Sequence, residues 1–423
     1  MLFRSELNLF ANLSIAENIF IRGFLRSRSW LPLINRRRIR ERTRELLEEV
    51  RLTHPPDTRI EHLSAGERQL VEIAKALALP PRLIILDEPT TSLTTRETER
   101  LFAIMARLRE RGIAMIYISH SLGHVLKRCD EIVVLRDGAV VAHEPTAQFT
   151  MDRLVSLMVG RAITRWFPPR TAQPGEEIIL EARGIGQPGI VRNISFQVRR
   201  GEIVGVSGLM GAGRSELARI LFGLDPCATG DILLEGESIG HLPPAARIRR
   251  GLAFLTEDRR AEGLCLEASI ADNLTLVSLG ELGHGGLGWL DRTRIAACVR
   301  RMREAVRLTP AARDPQLVKT LSGGNQQKVV LGKWLLGEPK VFILDEPTRG
   351  IDVGAKYEVY RLIRDLAARG TGVLLISSEL EELLGMCDRI LVMRGGRISD
   401  TIEPPEFDRE RILRAALHDG VTA

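Results

Sequence analysis

Four stretches of this chain occur twice at one fixed separation, and that repetition restricts its possible folds more than any other feature. Leu63-Ser64-Ala65-Gly66-Glu67-Arg68-Gln69 is echoed by Leu321-Ser322-Gly323-Gly324-Asn325-Gln326-Gln327. Ile85-Leu86-Asp87-Glu88-Pro89-Thr90 is echoed by Ile343-Leu344-Asp345-Glu346-Pro347-Thr348, and Ile118-Ser119-His120 by Ile376-Ser377-Ser378. Cys129-Asp130-Glu131-Ile132 is echoed by Cys387-Asp388-Arg389-Ile390. Every pair is 258 residues apart. A constant offset over so much chain means two copies of one domain.

Each copy reads as α/β. Apolar strands end in polar residues: Leu83 to Leu86 before Asp87, Val341 to Leu344 before Asp345, and Met115 to Ile118 before His120. Helical segments are expected over Arg68 to Leu79 and Gln326 to Leu336. Strands alternating with helices predict a mainly parallel sheet covered on its faces. The proline- and glycine-containing stretch Pro168 to Gly175 separates the copies, giving domains at 1–165 and 178–423 with a linker at 166–177.

Glu202 to Gly223 is the most informative single stretch. A short strand, Ile203 to Val206, leads into Gly208-Leu209-Met210-Gly211-Ala212-Gly213-Arg214-Ser215 and then a helix with Leu217, Ile220 and Leu221 apolar. This is a Walker A pattern with arginine at the lysine position. Its glycines let backbone N–H groups converge on phosphate, and the helix N-terminus adds its positive end. Arg214 keeps the charge as a planar fork, and Ser215 is placed to reach Mg²⁺. Asp345 and Glu346, at the end of an apolar strand, fit a Walker B pair: the aspartate holds Mg²⁺ and the glutamate polarises water. Between these motifs, the Ser322-Gly323-Gly324 turn opens a helix that can also present N–H groups to phosphate.

Composition excludes several classes. No apolar run approaches the roughly 20 residues that span a bilayer, and the start lacks a signal-peptide layout, so the expectation is a cytoplasmic protein peripheral to the membrane. The net charge of +6 comes from 60 basic against 54 acidic residues, so it does not argue for nucleic acid. The densest basic run, Arg36 to Arg42, enters a helical pattern and reads as a solvated face. Only 4% of residues are aromatic, too few for stacking platforms. Five cysteines form no CxxC pair and read as reduced and mostly structural. His54, His62, His124, His143, His241 and His284 lack any motif and read as structural or exposed.

In this order, the motifs resemble the ABC-type ATP-binding proteins of monosaccharide importers, the ribose, galactose and xylose group. Beyond the loops already named, Thr256-Glu257-Asp258-Arg259-Arg260, Asp345 to Tyr357, Ile376 to Leu380, Ala16-Glu17-Asn18-Ile19 and Met158-Val159-Gly160-Arg161 carry the likeness. The resemblance implies two tandem P-loop NTPase domains closing head-to-tail on two nucleotides. One site would use Gly208 to Ser215, Asp345 and Glu346, with Glu257 at the Q-loop position and Ser378 in place of the switch histidine, capped by Ser64 and Gly66. The other would use Asp87, Glu88 and His120, capped by Ser322, Gly323 and Gly324. ATP and Mg²⁺ are the implied ligands. The implied partners are transmembrane permease subunits, reached through roughly Glu6 to Phe20 and Glu257 to Leu274, and indirectly a periplasmic or extracellular sugar-binding protein. No nucleic acid is expected.

The repeat also locates a gap. Ser14-Ile15-Ala16-Glu17-Asn18 and Ser269-Ile270-Ala271-Asp272-Asn273 are 255 residues apart. Offsets of 255 to 258 put the first copy's glycine loop about 47 to 50 residues ahead of Met1. The first copy is therefore expected to lack its Walker A loop and opening strands, as an N-terminally truncated importer ATPase that binds ATP with little turnover. No aromatic residue lies between Phe167 and Phe196 to stack on adenine. Two other readings stand beside this one: a non-catalytic remnant, and a soluble twin-domain ABC protein acting on ribosomes or DNA.

Overall fold

Apolar runs ending in polar residues become parallel strands in both halves of the chain. The computed structural model describes residues 2–3, 9–21, 34–79, 81–90, 93, 95–119, 121–136, 138–159, 166–170, 172–284 and 289–417. The chain divides into two units, Met1–Arg161 and Ala162–Ala423.

In the first unit, β1 (Leu2–Phe3), β2 (Leu83–Asp87) and β3 (Ala114–Ile118) form a parallel sheet in that order. β4 (Glu131–Arg136) and β5 (Ala139–Pro145) pair apart from it as an antiparallel hairpin. The helices are α1 (Ile15–Phe20), α2 (Arg36–Glu49), α3 (Ala65–Leu77), α4 (Thr95–Glu110), α5 (Leu122–Arg128) and α6 (Met151–Val159). Ile15, Leu46, Val71, Ile84 and Leu101 belong to their common core. The basic run lies on α2 as a solvated face, with Ile39, Thr43, Leu46 and Leu47 turned inward. α3 begins at Ala65, three residues before the sequence pattern suggests. Ser64 and Glu67 form a capping box that satisfies the first-turn donors and pulls the glycine turn into the helix.

The second unit opens with an antiparallel sheet. Its strands β6 (Ile178–Gln187), β7 (Val191–Arg199), β9 (Thr229–Leu234) and β10 (Glu237–Ser238) are ordered β10-β9-β6-β7, and β8 (Ile203–Gly208) departs to the main sheet. That main sheet adds β11 (Leu252–Leu255), while β12 (Gly283–His284) and β13 (Trp289–Leu290) make a small ribbon. β14 (Val341–Asp345), β15 (Gly372–Ile376), β16 (Arg389–Arg394) and β17 (Arg397–Ile402) complete the order β11-β14-β15-β8-β16-β17, parallel except at β17. The helices are α7 (Arg214–Phe222), α8 (Pro244–Arg249), α9 (Ile270–Thr275), α10 (Arg292–Ala305), α11 (Gly323–Leu335), α12 (Val353–Ala368), α13 (Leu380–Met386) and α14 (Arg409–Leu417). The described residues of the stretch read as a linker carry no helix or strand, yet they are seated on this unit. Phe167 packs its ring 5.2 Å from that of Tyr360, and Arg170 pairs with Asp388 at 3.0 Å.

Side chains along the central strands alternate strictly between two cores, as a sheet covered on both faces requires. Phe342, Leu344, Val373, Leu375, Ile390 and Val392 enter one core. Val341, Ile343, Leu374, Ile376, Leu391 and Met393 enter the other, beneath α7 and the antiparallel sheet. The first unit treats the same positions differently. Ile116, Ile118, Val133 and Leu135, 258 residues before Leu374, Ile376, Leu391 and Met393, are 48%, 44%, 51% and 66% exposed, against 1% or less for their counterparts. In the second unit β8 joins β15 to β16. Among the described residues of the first unit, nothing joins β3 to β4 in that way. Its second apolar face is consequently open.

Candidate functional site

The sheet order determines where the chemistry collects. β15 lies between β14 and β8, so the C-terminal ends of three neighbouring parallel strands bring Asp345-Glu346, Ser377-Ser378 and the Gly208–Ser215 loop to one edge. That edge is where open α/β sheets hold ligands.

Two glycines shape the loop. A Cβ at Gly208 would stand 2.5 Å from the Met393 carbonyl oxygen, so no larger residue fits that approach. Gly213 has φ +94° and is the N-cap of α7, where no side chain caps the first turn. The opening amides of α7 therefore remain available to an anion, with the helix dipole behind them. Leu209 and Met210 project from the loop, exposed by 45% and 95%.

Arg214 turns toward the switch: its Nη1 donates to the Ser377 carbonyl at 3.0 Å and lies 3.8 Å from Glu346 Oε1. Ser215 sits within hydrogen-bonding reach of the Asp345 carboxyl. Burial pushes the Asp345 carboxyl above the usual range, with Ser215 and Arg214 pulling it back. Its Oδ1 is buried and has no hydrogen-bond partner. An orphaned carboxylate oxygen beside a hydroxyl is a donor set suited to a hard divalent cation. Among the described residues no cluster of three metal-ligating side chains exists, so further ligands would come from a bound phosphate. Magnesium with a phosphate ligand fits these residues.

Burial also raises the Glu346 pKa, opposed by Arg214 and by Ser378. Ser378 Oγ donates to Glu346 Oε2 at 3.0 Å, so serine does reach the position read as the switch. Glu257 is held by an ion pair with Arg349, in the loop that follows the Walker B residues.

The other expected residues lie on separate elements. Ser322 is the N-cap of α11, which starts at Gly323, so the Ser-Gly-Gly turn is partly helix. Asn325 Nδ2 donates to Ser322 Oγ at 3.0 Å, and no side-chain cap occupies the first-turn amides. Packing requires glycine at Gly324 and crowds Gly323. A Cβ at Gly324 would meet that of Ala355 at 2.6 Å, and one at Gly323 would meet Arg259 Nη2 at 2.8 Å. In the first unit Ser64 caps α3, and Gly66 has the Glu97 carboxylate against it. Asp87 ends β2 and Glu88 follows it, repeating the Asp345–Glu346 arrangement. His120 lies outside the described residues.

Three contributors were not legible in the sequence. Ile190, at the β6–β7 turn, is 37% exposed and puts its backbone oxygen 3.3 Å from where a Gly213 Cβ would be. It offers an exposed apolar side chain near Gly213, in the stretch between Phe167 and Phe196 that holds no aromatic residue. Arg259 donates to the carbonyls of Arg349 and Gly350 at 2.7 and 3.2 Å, joining the Glu257 segment to the loop after Glu346. Arg247, 2% exposed, donates to the carbonyls of Ile220, Leu221, Gly240 and Leu242, closing the C-terminus of α7.

Comparison with known proteins shows the family of the chain. The sequence matches the ABC transporter family over residues 1–91 and 191–349. It is 45% identical over 411 residues to ribose import ATP-binding protein RbsA 1 of Rubrobacter xylanophilus, covering 97% of this chain and 81% of that protein. It is 41% identical over 427 residues to a putative ribose/galactose/methyl galactoside import ATP-binding protein of Agrobacterium fabrum, covering all of this chain and 83% of that protein. A third relative, ribose import ATP-binding protein RbsA of Lactococcus lactis, is 42% identical over 411 residues, covering 97% of this chain and 82% of that protein.

Proposed function

Because the chain belongs to the ABC transporter family, we propose that it is the ATP-binding subunit energising import of a sugar through a membrane permease. The observation that carries this reading is the uncapped N-terminus of α7 facing Asp345, whose Oδ1 is buried without a partner.

In this reading the amides of α7 and the Arg214 guanidinium take the phosphates of ATP. Ser215 and Asp345 hold Mg²⁺, which when bound neutralises phosphate charge and aligns the transferred group. Glu346 orients the attacking water and accepts its proton, and burial makes it a better base than an exposed glutamate. Ser378 fixes Glu346 through one hydrogen bond but adds no charge toward the phosphate. The expected outcome is nucleotide binding with slow turnover.

Permease subunits are the proposed partners, with a sugar-binding protein acting through them. The segment facing the permease is assigned to the wide turn at Arg259–Gly263 and to α9, beside a cavity of about 320 Å³ lined by Phe222, Phe254, Lys333 and Trp334. α1 repeats α9, each with a capping box, Ser14–Glu17 and Ser269–Asp272. No helix among the described residues is long and apolar enough to cross a membrane, which suits a subunit peripheral to the cytoplasmic face.

The deciding experiment is ATP hydrolysis by the full chain reconstituted with permease subunits. Slow turnover abolished by Glu346→Gln, with nucleotide binding retained, is the expected result. Brisk hydrolysis lost in Glu346→Gln would contradict the weak-site assignment, and absence of nucleotide binding would contradict the whole reading.

A further inference from the structure

A buried polar cluster lies directly behind Glu346, and nothing in the chemistry above uses it. Thr348 follows Glu346 by two residues, Ser377 precedes Ser378, Tyr360 lies on α12, and Glu382 lies on α13. All four are buried, Glu382 and Ser377 at 1% exposure. Thr348 Oγ1 donates to Glu382 Oε1 at 3.1 Å. The hydroxyls of Ser377 and Tyr360 lie beside the same carboxyl and act on its protonation. Glu382 Oε2 is buried with no partner at hydrogen-bonding geometry.

Glu382 thus touches both segments that meet at Glu346. On one side it holds Thr348, two residues beyond Glu346. On the other it meets Ser377, the neighbour of the Ser378 whose hydroxyl donates to Glu346 Oε2. A buried carboxyl is costly to keep, and an apolar side chain would pack the same space at less expense.

The duplication supplies an internal comparison. In the first unit, 258 residues earlier, Thr90 and Ser119 match Thr348 and Ser377, while Phe102 replaces Tyr360 and His124 replaces Glu382. The rings of His124 and Phe102 are edge-on at 5.0 Å, and His124 Nδ1 is buried without a partner. Both units therefore place a titratable group beneath the switch segment. The hydroxyl–carboxyl pair accompanies the serine switch, and the phenyl–imidazole pair accompanies the histidine one.

We propose that Glu382 is a positioning residue for ATP turnover in the second unit: its carboxyl holds Thr348 on one side and lies against Ser377 on the other, and its protonation state sets how firmly Ser378 holds Glu346. This rests on the reading that the second unit binds and hydrolyses ATP. The groups facing Glu382 are Ser377, Glu379, Lys356, Thr348, Tyr360 and Cys387. Burial pushes Glu382 up to about 7, Glu379 adds to the rise, and Ser377, Lys356 and Thr348 oppose it. Burial holds Tyr360 and Cys387 protonated at neutral pH. Near neutrality Glu382 is then the member of the cluster that changes charge.

The test compares wild type with Glu382→Gln, which fixes the neutral hydrogen-bonding form, in the full chain with permease subunits. Between about pH 6 and pH 8 the wild-type kcat should change by about threefold or more, while Glu382→Gln stays flat at the wild-type acid value. Its affinity for trinitrophenyl-ATP with Mg²⁺ should match wild type. Thermal melting gives a second readout independent of turnover. A raised carboxyl contributes stability that is complete below its unfolded pKa and lost as pH rises through about 7. Glu382→Gln should therefore melt above wild type at about pH 8 and with it at about pH 5. A wild-type pH profile in Glu382→Gln, or a wild-type kcat that does not vary with pH, overturns the proposal while leaving the ATP reading intact. Failure of the wild type to bind the nucleotide analogue overturns both.

Discussion

Glu88 and Glu346, 258 residues apart, hold the same left-handed backbone. Each has φ +50°, and each donates its N–H at 2.9 Å to the last residue of the neighbouring strand, Ile118 or Ile376. A non-glycine residue in this region costs on the order of 1 kcal/mol, and two copies of the fold bear that cost at the same position. The strain aims the glutamate back over the strand ends rather than along the chain. Glycine takes this conformation freely and alanine does not. Glu346→Gly should therefore be more stable than Glu346→Ala by about 1 kcal/mol in urea titration, although both lose turnover.

Arg214 supplies both charge and a specific hydrogen bond to the Ser377 carbonyl. Lysine keeps the first and not the fork. Arg214→Lys should stay within about threefold of wild type in affinity for MgATP, and Arg214→Ala should lose about tenfold or more, measured by fluorescence titration.

Arg247 is a buried cation whose partners are four carbonyls, two of them at the C-terminus of the helix that carries the phosphate loop. Arg247→Met would leave those acceptors unsatisfied. A loss of about 3 kcal/mol or more is expected from denaturant unfolding of the second unit.

The open face of the first unit should be visible without any ligand. Amides of β3 should exchange with deuterium faster than those of β15, their counterparts 258 residues on, because β15 is flanked by β14 and β8. Equal protection of the two strands would contradict the open-face description.

Motifs that are contiguous in sequence were readable from it: the glycine loop, the Asp-Glu pairs at strand ends, and the two Ser-x-Gly turns. The duplication gave the fold of each copy, and the sheet order of the second unit explains why these motifs converge there. The remaining features depend on contacts between distant positions. Ile190 is an ordinary apolar residue until the β6–β7 turn brings it to Gly213, and Arg259 is one of two adjacent arginines until it reaches Arg349 and Gly350. Glu382 is one of three acidic residues in four, Glu379, Glu381 and Glu382. Only the packing of α13 shows that this one is buried while Glu381 pairs at the surface with Arg409. α3 and α11 start three residues before the apolar pattern suggests, because glycine weakens the helical pattern; at α3 the Ser64–Glu67 capping box starts the helix.

The central claim is that the second unit binds ATP with Mg²⁺ through α7, Ser215 and Asp345. Titration of the full chain with a fluorescent ATP analogue in the presence of Mg²⁺ tests it most directly. The account predicts saturable binding that weakens by about tenfold or more in Ser215→Ala and in Asp345→Asn, with the Mg²⁺ dependence reduced in both. Binding that is absent from the wild type, or unchanged in both variants, would contradict it.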